Sequence, residues 1–266
     1  MLDGYPNEDA EKGELIRVEN LTVGYGETNI LEDVSFSVYE GEIFAILGPS
    51  GCGKSTLFHA MIGLLPIRKG RIIIGGEELG PEERVDSLHR IRHQIGVLFQ
   101  SGALLDWLSV GENIAFPLRE STDLPEEIIQ HIVQLKLELV RLEGSAETKP
   151  AELSGGMTRR AGLAAGMARD PRILFCDEPT FGLDPNTAME IDELLIEMRD
   201  FLKVTIVVVT HVVPTLENIA TRCIMLDREA KGVIASGRLD SLKNNTSDQR
   251  VQAFFQRRIP ERQSQV

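Results

Sequence analysis

The chain has 266 residues, 42% hydrophobic and 26% charged, which fits one large α/β domain or two small ones and excludes a largely disordered chain. Its 28 Lys and Arg against 41 Asp and Glu leave a net charge of −13. A sequence-independent nucleic-acid partner is therefore not expected, and bulk charge would not hold the protein to anionic lipid.

Residues 1–13 are acidic and polar and read as a flexible leader, not a secretory signal. From Glu14 to Glu40 the apolar positions alternate (Ile16, Val18, Leu21, Val23, then Val34, Phe36, Val38), the period of half-buried antiparallel strands. Ile43–Leu47 is instead apolar throughout, as a strand covered on both faces should be, and 95–99, 173–176 and 205–209 resemble it. Helical patterns separate these runs, so a mostly parallel sheet is expected. Residues 124–142 carry Ile128, Ile129, Ile132, Val133 and Leu135 on a helical stripe, with Asp123 as the expected N-cap. Residues 101–160 read as a helical subdomain inserted into the sheet domain. Segments 223–227 and 232–236 read as a hairpin. The polar tail, 244–266, holds one apolar cluster, Val251, Phe254 and Phe255, which could fold back or reach a second subunit. The cysteines, Cys52, Cys176 and Cys223, form no CxxC pair, so a reducing compartment is expected. No apolar run approaches membrane-spanning length.

Residues 48–55 read GPSGCGKS, fitting G-x-x-x-x-G-K-[ST] between a buried strand and a helix-like segment, the context that this phosphate loop requires. Gly48, Pro49, Ser50, Gly51, Cys52 and Gly53 would curl the backbone so that its N–H groups face an anion. Lys54 would sit on the β/γ-phosphates, Ser55 would ligate Mg²⁺, and Thr56 would donate to the α-phosphate. Cys52 reads as incidental to the loop geometry and open to reaction. RILFCDE, 172–178, delivers Asp177 at the end of a strand as a Mg²⁺ ligand, with Glu178 next to it as general base.

LSGGM, 153–157, then opens an apolar helix with arginines. With the phosphate loop and Asp177–Glu178, this order of motifs resembles the ATP-binding cassette (ABC) ATPases, over about 14–243. Met157 stands where that family usually has Gln. The resemblance implies a P-loop NTPase fold, ATP and Mg²⁺ as ligands, and two cassettes paired head to tail. Ser154, Gly155 and Gly156 of one copy would then grip the nucleotide held by the other. It also implies that Gln100 reaches Mg²⁺ and the attacking water, that His211 meets the γ-phosphate, that Asp184 links the two sites, and that Tyr25 stacks on adenine. Val212 follows His211 where the family often has Asp.

The segment after Gln100, SGALLDWLSVGENIAFPLRE, resembles the ATPases of Mce/Mla-type lipid transporters. That implies an integral membrane permease, a periplasmic MCE-domain protein and, in some systems, a STAS-domain subunit as partners. It places the chain at the cytoplasmic face of the inner membrane. Leu104, Leu105, Trp107 and Leu108 would form the apolar docking patch. A solute-importer cassette and a soluble regulatory ABC ATPase share the catalytic motifs and remain open. A GTPase would need an N-K-x-D motif, which the sequence lacks.

Overall fold

The computed structural model describes residues 13–82 and 85–256. The leader expected over 1–13 lies outside these, apart from Gly13, whose carbonyl accepts from the Glu40 amide at 2.9 Å.

The chain opens with β1 (Glu14–Tyr25) and β2 (Thr28–Tyr39), runs through β3 (Ile43–Leu47) into α1 (Lys54–Met61), and returns to β4 (Lys69–Ile74) and β5 (Glu77–Leu79). After α2 (Val85–Gln94) and β6 (Ile95–Leu98) come α3 (Val110–Ser121), α4 (Glu126–Leu139), a 3₁₀ turn (Pro150–Glu152) and α5 (Gly155–Gly166). Then follow β7 (Ile173–Asp177), α6 (Pro185–Leu202), β8 (Thr205–Val209), α7 (Val213–Ile219), β9 (Arg222–Asp227), β10 (Gly232–Arg238), α8 (Leu239–Asn245) and α9 (Gln249–Phe255).

Two sheets result. β2-β1-β4-β5 is wholly antiparallel. The second has the order β10-β9-β3-β8-β7-β6 and is parallel except for the β9–β10 hairpin. The unbroken apolar runs are explained by which core each residue enters. Phe44, Ile46, Phe175, Val207 and Val209 point into the core shared with α1 and the antiparallel sheet. Their neighbours Ile43, Leu174, Cys176, Ile206 and Val208 enter a second core under the helices. With both faces covered, the strand interiors are apolar, and polar residues such as Asp177 and Thr205 stand only at strand ends.

The helical segment departs from its expected details. Ile129, Val133 and Leu137 are the buried stripe of α4, whereas Ile128 and Leu135 are exposed. The 3.6-residue period selects positions four apart, and Ile128 and Leu135 fall off that line. Asp123 does not cap this helix; the N-cap is Pro125, with no side-chain hydrogen bond. Ser109 does cap α3, in a reciprocal box with Glu112.

Helix α5 lies directly against β6. A Cβ on Gly96 would strike the Gly166 carbonyl, and one on Gly162 would sit 2.7 Å from Leu98 Cδ1. The contacts pair the start of β6 with the end of α5, so the helix runs antiparallel to the strand. At the other side of the sheet, Val251 and Phe254 fold back into a third core with Leu47, Leu216 and Met225. The expected boundary at 243 therefore falls inside α8, and the tail cluster belongs to the domain's own packing.

Candidate functional site

The carboxyl edge of the parallel sheet carries three chain segments of interest. The first leaves β3. Gly48 has φ +143°, and a Cβ there would fall 2.5 Å from the Leu226 carbonyl oxygen, so the loop needs glycine at that point. Gly53 caps α1 with no side chain, leaving the first-turn amides free for an anion at the positive end of the helix dipole. Lys54 is buried, and its Nζ donates to the carbonyls of Gly48 (2.8 Å) and Pro49 (3.1 Å). Among the described residues no carboxylate forms an ion pair with it. Ser50, Gly51 and Ser55 are exposed around this ammonium, Pro49 is half-buried and Thr56 is buried. Cys52 is not reactive as expected. It is 1% exposed, its Sγ packs beneath Gly48, and burial raises its thiol above the ordinary value, with the Lys54 charge opposing.

The second segment leaves β7. Asp177 is buried at the strand end and forms no side-chain hydrogen bond among the described residues. Burial first, then the Glu178 charge, raise its carboxyl above the usual range, against the pull of His59 and Lys54. Glu178 takes φ +48°, a strained backbone for a residue with a side chain. Its amide donates to the Val209 carbonyl at 2.8 Å.

The third segment leaves β8 and meets the second. Thr210 Oγ1 donates to Glu178 Oε2 at 2.8 Å, and His211 Nδ1 lies 2.6 Å from Glu178 Oε1. The His211 ring sits 5.3 Å from that of Phe181. A carboxylate steadied on both oxygens is suited to take a proton from a water in front of it.

Gln100, exposed just beyond β6, lines an open cleft with Phe99, Ser101, Arg159 and Asp177. The nearby donors Ser55, Gln100 and Asp177 are all oxygen, a hard set that suits Mg²⁺ better than zinc. A divalent cation would also offset the adjacent charges of Asp177 and Glu178.

Ser154 caps α5, accepting from the Met157 amide at 3.3 Å, and its hydrogen bonds stay within its own helix. Gly155 is exposed, and buried Gly156 abuts Thr187. Asp184 caps α6 through the amides of Asn186 and Thr187 and the Thr187 hydroxyl, which hold its carboxyl below the usual range. Because α5 runs antiparallel to β6, Ser154 reaches the carboxyl edge of the sheet. It does so beside β6, three strand positions or about 14 Å from β3 and the Lys54 loop. Tyr25, 52% exposed, ends β1 at a hairpin that Arg68 braces through Gly26 and Asn29.

Two residues of this edge were given no role at the site in the sequence reading. Thr210 was hidden as the polar residue that follows the apolar strand β8. Arg159 bonds the Phe181 carbonyl at 3.4 Å and keeps a buried Nε with no partner among the described residues; nothing in its spacing marked it.

A family model described as "ABC transporter" matches residues 31–181. The intermembrane phospholipid transport system ATP-binding protein MlaF of Haemophilus influenzae is 40% identical over 91% of this chain and 90% of that protein. MlaF of Escherichia coli K12 is 39% identical over 91% and 88%. The probable ribonucleotide transport ATP-binding protein mkl of Mycobacterium leprae is 42% identical over 82% of this chain. The chain spans only 62% of that mycobacterial protein's length. A dimeric structure of the ATP-binding cassette MJ0796, in a post-hydrolysis state with ADP and Pi, superimposes with a TM-score of 0.76 at 30% identity, over 85% of this chain and 99% of that one. The phosphate loop, the acidic strand end, the helix-opening Ser154 and the end-to-end fit to solved cassettes agree: this chain belongs to the ABC transporter family, with the fold of its ATP-binding cassette.

Proposed function

We propose that the chain hydrolyses ATP as the energising subunit of a bacterial ABC transporter that moves phospholipid across the cell envelope with a separate integral permease. The observation that carries this reading is the match to MlaF along about nine-tenths of both chains.

In this reading the loop Gly48–Thr56 holds the triphosphate, with Lys54 turning from its two carbonyls to the phosphate oxygens. Glu178 accepts the proton of the attacking water, and His211 and Thr210 hold its carboxylate in place. Ser55, Asp177 and Gln100 would hold Mg²⁺, which when bound supplies charge neutralisation at the phosphates. Two copies pair head to tail. The lateral offset between Lys54 and Ser154 supports this, because one chain cannot close both ends on a single triphosphate. Ser154, Gly155 and Gly156 therefore serve the partner's nucleotide, Asp184 lies at the seam, and Tyr25 stacks on adenine.

The docking segment is rigidly presented. Buried Asn113 clamps its loop through the Leu105 amide (2.7 Å) and the Ser109 carbonyl (2.9 Å). Lys149 holds the Trp107 carbonyl. Trp107, 73% exposed, projects from it, whereas Leu104 packs into the second core and Leu105 and Leu108 are half-buried. Among the described residues no helix is long and apolar enough to cross a membrane. Attachment to the cytoplasmic face of the inner membrane would thus run through the permease, with an MCE-domain protein beyond it and a STAS-domain subunit in some complexes.

Affinity capture of the full chain from solubilised bacterial membranes tests the assignment. A permease with an MCE-domain protein supports it. The mkl relatives favour a second reading, ribonucleotide or other solute transport, which predicts a solute-binding protein instead. Recovery of the chain wholly free of membranes would favour a regulatory ATPase.

A further inference from the structure

Below the Glu178–His211 pair lies a buried polar chain that the proposed chemistry does not use. Thr180, two residues after Glu178, and Thr215, in α7, are both buried, with their hydroxyls 2.7 Å apart. The same helix also meets a buried carboxylate, that of Asp192 on α6, through Asn218. Asp192 is 3% exposed. Its Oδ2 accepts from Asn218 Nδ2 at 3.1 Å, while Oδ1 is buried with no partner among the described residues.

An ionised carboxylate only accepts, so Asn218 donates to Asp192 and ties α7 to α6, while the Thr180–Thr215 hydroxyl pair ties the same helix to the loop after Glu178. Three segments are thereby joined: the loop after Glu178, the helix after His211, and the helix that Asp184 caps. Helix α7 needs such an anchor. It has seven residues and no side-chain cap on Val212, and a helix that short does not hold itself. A leucine at 192 would fill the core without burying a charge, so stability alone does not account for the carboxylate.

We propose that Thr215 and Asp192 are positioning residues for ATP hydrolysis, holding the His211 segment in register with Glu178 through Thr180. The inference rests on the ATPase reading above.

The test compares the full chain with Thr215→Val, Thr215→Ser and Asp192→Leu, using steady-state ATP hydrolysis and amide hydrogen exchange over 210–219. Thr215→Val, which keeps the shape and removes the hydroxyl, should lower kcat about tenfold with KM for ATP within about twofold. It should also speed exchange in that segment. Thr215→Ser should restore both, and Asp192→Leu should behave as Thr215→Val does. Wild-type kcat and exchange in Thr215→Val and Asp192→Leu would overturn the proposal, as would equal loss in Thr215→Val and Thr215→Ser. If Thr215→Val does not fold, Asp192→Leu alone decides by the same two readouts. Hydrolysis by the wild-type chain that Glu178→Gln leaves intact would instead overturn the ATPase reading itself.

Discussion

Replacing Asp192 by asparagine should stabilise the protein, by an amount that grows with pH. Burial pushes the Asp192 carboxyl from 3.8 up to about 6. The folded state thus binds this proton more tightly than the unfolded state, and stability falls as pH rises from the lower value through the higher one. At about 1.4 kcal/mol per unit, the full cost above that window is about 3 kcal/mol, and about 1.6 kcal/mol is already present at pH 5. Asparagine does not titrate, and all other carboxylates are common to both proteins. The stability advantage of the variant should therefore grow by about 1.4 kcal/mol between pH 5 and pH 8. Urea denaturation of the two proteins at both pH values measures it. An unchanged difference would refute the argument, because it would mean that Asp192 titrates alike folded and unfolded.

Glu178→Gln should cut ATP turnover by about 10²- to 10⁴-fold while ATP binding persists, read by single-turnover hydrolysis and nucleotide titration. Lys54→Ala and Ser154→Arg should each be inactive alone, yet an equal mixture should recover about a quarter of wild-type turnover, because half the dimers carry one intact composite site. Failure to complement would mean that Lys54 and Ser154 act on the same chain's nucleotide. All three cysteines are buried and unpaired, and burial raises the Cys176 thiol and pushes that of Cys223 up to about 12. Iodoacetamide at pH 8 should label none of them until denaturant is added, as mass spectrometry would show.

Much of the fold could be read from the sequence, because burial on both faces keeps the interior of a strand apolar, and Ile43–Leu47 and Ile206–Val209 show that plainly. The phosphate loop was readable for a related reason: Gly48 and Gly53 occupy backbone that side chains cannot take. What stayed hidden depends on partners distant in the chain. Thr180, Thr215 and Asp192 look like ordinary polar residues until a loop and two helices converge on them. The exposed Ile128 and Leu135 are as apolar as their buried neighbours, and only the packing of α4 separates them. Cys52 was misjudged because its shelter comes from Gly48, folded over it.

The joint between α5 and β6 has a mechanical consequence. With almost nothing but backbone between them at Gly96 and Gly166, helix and strand can swivel as a block but cannot slide past one another. Gln100 at the end of the strand and Ser154 at the tip of the helix therefore ride on a single lever. A methyl group wedged in at Gly96 would loosen both ends of it at once.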